Sequence, residues 1–517
     1  MKINSNSKQM AVNMIAAIVS FGINIGINFF LTPYLVKELG TEAYGFIGLA
    51  NNFVQYASIV TAALNSMSGR FISIEYHKGN IDKASRYFSS VLVADMIIAG
   101  VMLAASAILT LSIDSFLDIP NNLITSVKIT FGLTFLTFVI SVITAIFTTA
   151  AFVKNKLYLN SIRDIISNSL KLLLIIALFT FLPAKLYFIS MATLASGIFL
   201  LLANVTVKKK ILPDVKMKFS LFDIKYVKII ISAGIWSSIG NLCNVLNTGL
   251  DLLICNMALG ATMMGLLSIA KTVPHSIDSL IYTISNIFTP RFTILYAKGN
   301  KEKLVEENKF STKVMSFLMT VPISGFMAFG NSFYTLWQPT KSPEEVRIIQ
   351  ILSILACISY LFTCHSKTLY GIFTVCNKLK MSVLVSFVNG ILNVGIVLSL
   401  IYFSALGDTV IVYAIAGVSS ALISMKAIFF VPIYAAHILK IKLTTYYRSI
   451  ARGWLCFAVV IALFIFINSI ISINSWLSFI AVCLVSGIIG YALSLPLIFS
   501  RSEIKRLFGA VKRKFSK

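Results

Sequence analysis

Residues 241–278, NLCNVLNTGLDLLICNMALGATMMGLLSIAKTVPHSID, place ionisable side chains inside the otherwise apolar helical hairpin that runs from Ile229 to Pro290. Four polar residues have the spacing of one face of its first helix: Asn241, Asn244, Thr248 and Asp251. Three titratable residues share one face of its second helix: Lys271, His275 and Asp278. A charge facing hydrocarbon is costly, so these side chains either line a water-filled functional site or form a buried structural ion pair.

A second copy of this hairpin lies 220 residues earlier in the chain, near the N-terminus. At this offset four of its polar positions correspond to Asn24, Asn28, Asn51 and Gln55. The polar face therefore recurs without its charges.

The composition is that of a polytopic membrane protein, because 57% of the 517 residues are hydrophobic and only 12% are charged. Apolar runs of about 20 residues or more recur along the whole chain, and their length favours helices over barrel strands. We predict an all-α fold with about fourteen transmembrane spans. They are residues 10–36, 43–68, 88–113, 123–152, 160–182, 185–207, 229–256, 262–290, 314–337, 346–374, 381–404, 408–432, 453–471 and 476–499.

The distribution of basic residues predicts the orientation of these spans. Four of the 44 Lys and Arg residues lie in predicted outer loops or at the outer ends of the adjoining spans: Lys37, Lys185, Lys341 and Arg347. Short loops rich in Lys and Arg stay in the cytoplasm, so both termini are predicted to be cytoplasmic. The net charge of +25 is spread over short cytoplasmic segments that set topology and face anionic membrane lipids, and it indicates no nucleic-acid partner.

The internal repeat predicts the domain organisation. At an offset of 220, Tyr76-x-Lys78-Gly79-Asn80 matches Tyr296-x-Lys298-Gly299-Asn300, and at an offset of 222, Asn155-Lys156-Leu157 matches Asn377-Lys378-Leu379. Each repeat holds six spans, so both copies have the same membrane orientation. We predict an N-lobe at 1–207, a basic cytoplasmic linker at 208–228, a C-lobe at 229–437, two extra spans at 438–499 and a basic cytoplasmic tail at 500–517.

Two further lysines lie within predicted spans, Lys171 in span five and Lys367 in span ten. With the hairpin residues they form a candidate substrate cavity. Its predicted members are Lys171, Lys271, Lys367, Asn24, Asn28, Asn51, Gln55, Asn244 and His275. Asp251 is expected to pair with Lys271, and Asp278 is expected to be a protonatable coupling group. Asp95 is placed near the end of span three, where its carboxylate is expected to reach the membrane interface.

Motifs for catalysis, nucleotides and metals are absent from the sequence. The outer loops, such as residues 114–122 and 338–345, are too short for an extracytoplasmic catalytic domain. We find no phosphate-binding loop, no HExxH and no GxSxG, and the seven cysteines show no metal-binding spacing. The sequence therefore predicts a transporter that is not an enzyme and uses neither a cofactor nor a metal.

Residues 24–35, NIGINFFLTPYL, and 39–45, LGTEAYG, followed by Arg70-Phe71 before a Gly-Asn turn, carry a family resemblance. The pattern resembles the polysaccharide transporters, the Wzx-type O-antigen and capsule repeat-unit flippases. These belong to the multidrug/oligosaccharidyl-lipid/polysaccharide (MOP) exporter superfamily. The resemblance covers the whole chain through its span count and two-lobed repeat.

The resemblance implies an alternating-access flippase for undecaprenyl-pyrophosphate-linked oligosaccharides in the bacterial cytoplasmic (inner) membrane. It implies two six-helix lobes around a cationic cavity, and polysaccharide polymerase machinery is a possible partner. This chain has lysine where arginine could serve, so bidentate phosphate recognition is not implied. A lipid II flippase or multidrug antiporter of the same superfamily stays open as an alternative, and a membrane enzyme of polysaccharide assembly is disfavoured.

The topology can be tested with single cysteines on a cysteine-free background. We expect membrane-impermeant reagents to label positions Asn121, Lys341 and Asn474 from outside, and Lys209, Lys301 and Lys512 only after the cells are permeabilised. The reason is the enrichment of basic residues in the predicted inner loops. Labelling of Lys209 in intact cells would overturn the orientation.

Overall fold

The computed structural model describes residues 5–403 and 407–504, apart from the side chains of residues 5–8, 10, 11, 14 and 297. Most of the predicted basic tail, including Lys512, lies outside the described residues. Within these ranges the structure contains helices and no strand. The α-helices are α1 (Ser5–Leu39), α2 (Thr41–His77), α3 (Ile81–Ser112), α4 (Ile124–Val153), α5 (Tyr158–Phe181), α6 (Tyr187–Ile211), α7 (Ile224–Asn244), α8 (Asp251–Asn286), α9 (Thr289–Ala297), α10 (Lys301–Trp337), α11 (Pro343–Ser366), α12 (Tyr370–Val375), α13 (Leu379–Phe403), α14 (Asp408–Met425), α15 (Val431–Ile438), α16 (Tyr447–Ile470) and α17 (Trp476–Ile498).

Twelve segments of the described residues are helical, long and apolar enough to cross a membrane. One of them, Ile224–Tyr296, covers predicted spans seven and eight together. Predicted span two is helical, as α2, but is not among the twelve, because the side chains of Asn51, Asn52 and Gln55 lower its apolar character. The prediction of an all-α polytopic membrane protein is confirmed.

Backbone conformation repeats between the two halves of the chain at the offsets of the sequence repeat. Three pairs of corresponding residues have positive φ angles: Gly40 and Gly260 (86° and 82°), Gly79 and Gly299 (82° and 67°), and Asn155 and Asn377 (54° and 53°). Residues other than glycine rarely adopt this left-handed conformation, so its recurrence at matching positions is specific. Gly260 breaks α8 at the place where the sequence predicts the turn between spans seven and eight.

The turn after α2 shows how this conformation is stabilised at the predicted cytoplasmic end. Asn80 Nδ2 donates to Glu75 Oε2 at 2.9 Å, and Lys83 Nζ donates to Glu75 Oε1 at 3.1 Å. The hydrogen bond from Asn80, followed by that from Lys83, holds the pKa of the Glu75 carboxyl below its usual value.

The chain divides into two compact units, Met1–Ser268 and Ile269–Lys517. This boundary falls inside α8, later than the predicted linker at 208–228, because α7 packs along α2 in the first unit. The predicted lobes at 1–207 and 229–437 describe the repeat, and they stay a prediction.

A side chain of α7 enters the backbone hydrogen-bond ladder of α2. Ser238 Oγ donates to the Ile59 carbonyl at 2.7 Å and accepts the Ala63 N–H at 3.0 Å. The hydroxyl thus bridges two groups that an uninterrupted helix would join directly. Gly234 permits this approach, since a Cβ at that position would lie 1.9 Å from the Ala63 carbonyl oxygen.

A π-helical turn at Val245–Gly249 extends α7. The carbonyl of Gly249 accepts a hydrogen bond from Asn52 Nδ2 at 2.9 Å and another from Tyr56 OH at 2.7 Å. Irregular backbone is tolerated at membrane depth only where neighbouring groups satisfy it. Side chains of α2 therefore satisfy the irregular turn of α7, while Ser238 of α7 bonds to the backbone of α2.

The N-terminal half of α2 also crosses the first part of α8, at positions that correspond to each other in the repeat. A Cβ on Gly45 would lie 2.9 Å from the Gly265 Cα, and Thr262 Oγ1 donates to Glu42 Oε1 at 2.7 Å. Both pairs differ by 220 in residue number, as contacts across a two-fold axis would. Small residues allow the two helices to approach closely here.

In the second unit α10 packs against α11, α16 and α17. Ser316 Oγ hydrogen-bonds to His365 Nδ1 at 2.6 Å, and a Cβ on Gly453 would lie 2.5 Å from the His365 ring. The helices α16 and α17, which correspond to the predicted extra spans, therefore pack on the core of this unit.

The close approach of α7 to α2 predicts an asymmetric effect of two alanine substitutions. We expect Gly234→Ala to lower the free energy of unfolding by about 1–3 kcal/mol, because its Cβ would overlap backbone that cannot move freely. Gly240→Ala on the same helix, with nothing within 4 Å of its Cβ, serves as the control and should be neutral or slightly stabilising. Thermal unfolding of the purified protein, followed by fluorescence-detected size exclusion, measures both. Equal melting temperatures for the two variants would contradict the packing described.

Candidate functional site

Three predicted site residues, Asn28, Asn51 and Lys171, line one cavity of about 310 Å³ in the first unit. Helices α1, α2, α4, α5 and α6 contribute its walls. Most of its remaining polar lining consists of hydroxyl groups, from Thr32, Tyr44, Thr134, Thr137, Ser141, Ser190 and Thr193. Lys171 is the single charged residue of this lining within the described part of the chain.

Lys171 lies half-buried on α5, with Ile175 one turn further along. Its ammonium group forms no ion pair and no hydrogen bond with the described residues. An unpaired cation in a poorly hydrated site interacts strongly with any anion that enters, since the local dielectric constant is lower than that of water. The cavity therefore favours a ligand with a negative charge near Lys171.

The hydroxyl groups of the cavity are largely occupied as donors. Thr137 Oγ1 donates to the Leu133 carbonyl and Thr193 Oγ1 to the Ile189 carbonyl, each at 2.8 Å. A hydroxyl oxygen that donates in this way still has lone pairs to accept a hydrogen bond. The lining thus offers acceptors to a ligand rich in O–H or N–H groups, beside one cation.

The other predicted site residues of the first unit do not line this cavity. Asn28 Nδ2 donates to Asn24 Oδ1 at 2.9 Å, and both residues are on α1. Gln55 and Asn244 are exposed. Asp251, at the start of α8, is 3% exposed and so is largely withdrawn from solvent and lipid.

The second unit contains Lys271, His275, Asp278 and Lys367. Lys367 Nζ lies 3.6 Å from Asp278 Oδ1, and both side chains are partly exposed. The structure thus gives the predicted coupling carboxylate a lysine partner that sequence spacing did not reveal. Lys271 is half-buried and His275 is exposed on the same helix.

Two predictions join residues of different compact units. They are the ion pair between Asp251 and Lys271, and the shared cavity of Lys171, Lys271 and Lys367. Both stay predictions.

The structure also reveals functional candidates that sequence reasoning missed. Asn52 and Tyr56 satisfy the π-helical turn of α7, and the hydroxyls of α4 and α6 line the cavity. The expectation for Asp95 was wrong: it is fully buried, and within the described residues neither carboxylate oxygen has a hydrogen-bond partner. Its neighbours on α3, Leu92 and Ala94, belong to the packed core of the first unit, so this face of the helix does not meet the interface.

A different cavity, of about 240 Å³, lies between α10, α16 and α17 of the second unit. Its aromatic lining comprises Phe326, Phe329, Phe333, Phe464 and Phe479, and none of its described lining residues is charged. The two cavities therefore differ in chemistry.

Comparison with known proteins identifies the family of this chain. Residues 10–295 match the family described as "Polysaccharide biosynthesis protein". The chain is 26% identical over 473 residues to the "Uncharacterized membrane protein EpsK" of Bacillus subtilis (strain 168), covering 92% of each chain.

Solved structures share the fold at low sequence identity. The lipid II flippase MurJ, in an inward closed conformation, superposes with a TM-score of 0.66 at 15% identity, over 94% of this chain and 98% of that one. An inward-facing multidrug resistance MATE family transporter of the MOP superfamily gives 0.65 at 14% identity, over 81% and 95%. Since the family match extends over more than half of the chain, this multi-pass membrane protein belongs to the polysaccharide biosynthesis protein family and has the fold of the MOP exporters.

Proposed function

We propose that this protein is a flippase that moves an undecaprenyl-pyrophosphate-linked oligosaccharide from the inner to the outer leaflet of a bacterial cytoplasmic membrane. The observation that carries the proposal is Lys171, which has no partner among the described residues, in a cavity lined by hydroxyls and amides. The pyrophosphate would supply the anion for the ammonium group. The sugar hydroxyls would donate to the oxygen atoms of the lining.

The family and the fold support the same function. The family is named for polysaccharide biosynthesis, and a protein of the same fold is a lipid II flippase. Membership of an exporter fold also favours transport over catalysis. Polysaccharide polymerase machinery is part of the proposal as a downstream partner, because it would consume the flipped substrate.

The ion pair of the second unit suggests how a proton could participate. Lys367 is held by Asp278, so a substrate anion would have to replace that carboxylate to reach the lysine. Protonation of Asp278 would release Lys367, and substrate binding would be coupled to the proton. In this proposal the substrate anion shifts the conformational balance through contacts with Lys171, Lys271 and Lys367.

Replacing Lys171 tests the proposal. In a strain that lacks this protein, we expect Lys171→Ala to reduce surface polysaccharide at least about tenfold. A charge pair at 4 Å is worth about 4 kcal/mol at an effective dielectric constant of about 20, and 1.4 kcal/mol is already tenfold. Lys171→Arg, which keeps the charge, should retain much more activity. The measurement is surface polysaccharide together with the lipid-linked sugar that accumulates on the inner leaflet.

Lys185→Ala is the matched control, because Lys185 is an exposed lysine outside the cavity. All variants must reach the membrane in equal amounts. Normal surface polysaccharide with Lys171→Ala would contradict the proposal that Lys171 binds the substrate anion in the cavity. Accumulation of lipid II alone would favour a lipid II flippase instead.

The contact between α2 and α8 gives a second test, of alternating access. Cysteines replacing Glu42 and Thr262, whose side chains are 2.7 Å apart, should form a disulfide under oxidation. We expect this disulfide to block transport and a reductant to restore it. Both residues lie at the predicted outer ends of their helices, and opening of the transporter to the outside would separate these ends. Each single cysteine variant under the same oxidant is the control. Full activity of the cross-linked protein would show that these ends stay together throughout the cycle.

A further inference from the structure

The basic linker between α6 and α7 has a backbone that is fixed in place. The hydroxyls of Ser85, Ser89 and Ser90 on α3 accept hydrogen bonds from backbone N–H groups within residues 216–223, at 2.9 to 3.3 Å. Ser89 also donates to the Lys216 carbonyl at 3.3 Å. The linker is therefore held along the end of α3 that precedes predicted span three.

The start of the linker is fixed by a buried lysine. Lys208 is 5% exposed, its Nζ donates to the Val215 carbonyl at 2.5 Å, and it lies 5.2 Å from the centre of the Phe88 ring. The ammonium group of Lys208 therefore interacts within the protein, unlike the exposed lysines of the linker.

In spite of this fixed backbone, the linker exposes large apolar side chains. Their exposed fractions are 41% for Met217, 71% for Phe219, 38% for Phe222 and 54% for Ile224. The backbone is extended at Lys218, so Met217 and Phe219 on either side of it project in a common direction. Four such side chains within eight residues of a polar segment indicate a surface that is covered by an apolar partner.

Exposed lysines alternate with these apolar residues. Lys216, Lys218, Lys225 and Lys228 are all exposed, and Asp223 is the acidic residue among them. The cationic and apolar composition matches the boundary between anionic lipid headgroups and acyl chains, where lysine stems lie in the apolar layer and their ammonium groups reach phosphates.

Chain connectivity places this segment at the membrane surface. Ile224 begins α7, which is part of a segment long and apolar enough to cross a membrane, and the predicted span starts at Ile229. At 1.5 Å per residue, the five-residue step from Ile224 to Ile229 spans only about 8 Å. The exposed apolar side chains are therefore within reach of the headgroup layer.

We propose that residues 216–225 are an interfacial anchor that inserts Met217, Phe219, Phe222 and Ile224 into an anionic leaflet while the neighbouring lysines bind lipid phosphates. The occupant of this surface is the lipid itself. Because serines of α3 hold the same backbone, the anchor fixes the depth of α3 and α7 relative to the leaflet.

Site-specific fluorescence tests the anchor in the full-length protein. On a cysteine-free background, Phe219→Cys and Phe222→Cys are labelled with bimane, and the protein is reconstituted into vesicles of phosphatidylglycerol and phosphatidylcholine. We expect quenching by lipids brominated on the acyl chain, protection from aqueous iodide, and a blue-shifted emission. Lys301→Cys, at an exposed position of another predicted cytoplasmic loop, is the control and should be quenched by iodide alone.

The role of the lysines is tested with K216Q/K218Q/K225Q in the same labelled proteins. We expect a loss of bromolipid quenching in vesicles that contain phosphatidylglycerol, since each lysine near an anionic surface contributes to binding. Iodide quenching of bimane at 219 without bromolipid quenching would overturn the proposal, because the surface would then be open to water and free for a protein partner. Unchanged bromolipid quenching in the triple variant would overturn the binding of phosphates by the lysines.

Discussion

Each backbone polar group of a membrane helix must be satisfied within the protein, and the contact between α2 and α7 depends on this constraint. Ser238 bridges Ile59 and Ala63 in α2, while Asn52 and Tyr56 of α2 satisfy Gly249 in α7. The exchange is reciprocal: a side chain of α7 bonds to the backbone of α2, and side chains of α2 bond to the π-helical turn that extends α7. The π-helical turn would not be stable against lipid, so α7 depends on its contact with α2.

The same constraint explains the character of the cavity. The hydroxyls of Thr137, Ser141 and Thr193 donate to carbonyls of their own helices, which lowers the cost of burying them and leaves their oxygen atoms available as acceptors. The ammonium group of Lys171 has no hydrogen-bond or ion-pair partner within the described residues. This distinguishes it from Lys367, which pairs with Asp278, and from Lys208, which donates to a carbonyl.

Sequence periodicity predicted the helices well, because a span needs a long apolar run and such runs are unmistakable. The repeat matches Gly40 with Gly260, and the structure gives both residues a positive φ angle at equivalent turns. The sequence also singled out Asn28, Asn51 and Lys171, which line one cavity of the first unit. Polar and charged residues such as these are unusual in apolar segments, which is why the sequence draws attention to them.

The missed features depend on geometry that a residue pattern does not contain. Nothing in the spacing of Asn52 and Tyr56 reveals the π-helical turn that they satisfy on another helix. Threonines of α4 and α6 have the composition of ordinary packing residues, so the cavity wall was not anticipated. Asp95 was misjudged because its depth was inferred from the chain, whereas its burial depends on which face of α3 meets the core.

The contact of α2 with α8 has a consequence for how such a chain could have arisen. Residue 42 meets residue 262 and residue 45 meets residue 265, so each position touches its own counterpart. In an ancestral dimer of single repeats, one gene would have encoded both sides of this contact, so the same residue would have faced itself. Glycine packed against glycine satisfies that condition. Glu42 against Thr262 does not, because two identical glutamates would repel each other there. After gene duplication and fusion, the two sides of the contact would no longer need the same residue. A charged acceptor and a hydroxyl donor could then be selected independently.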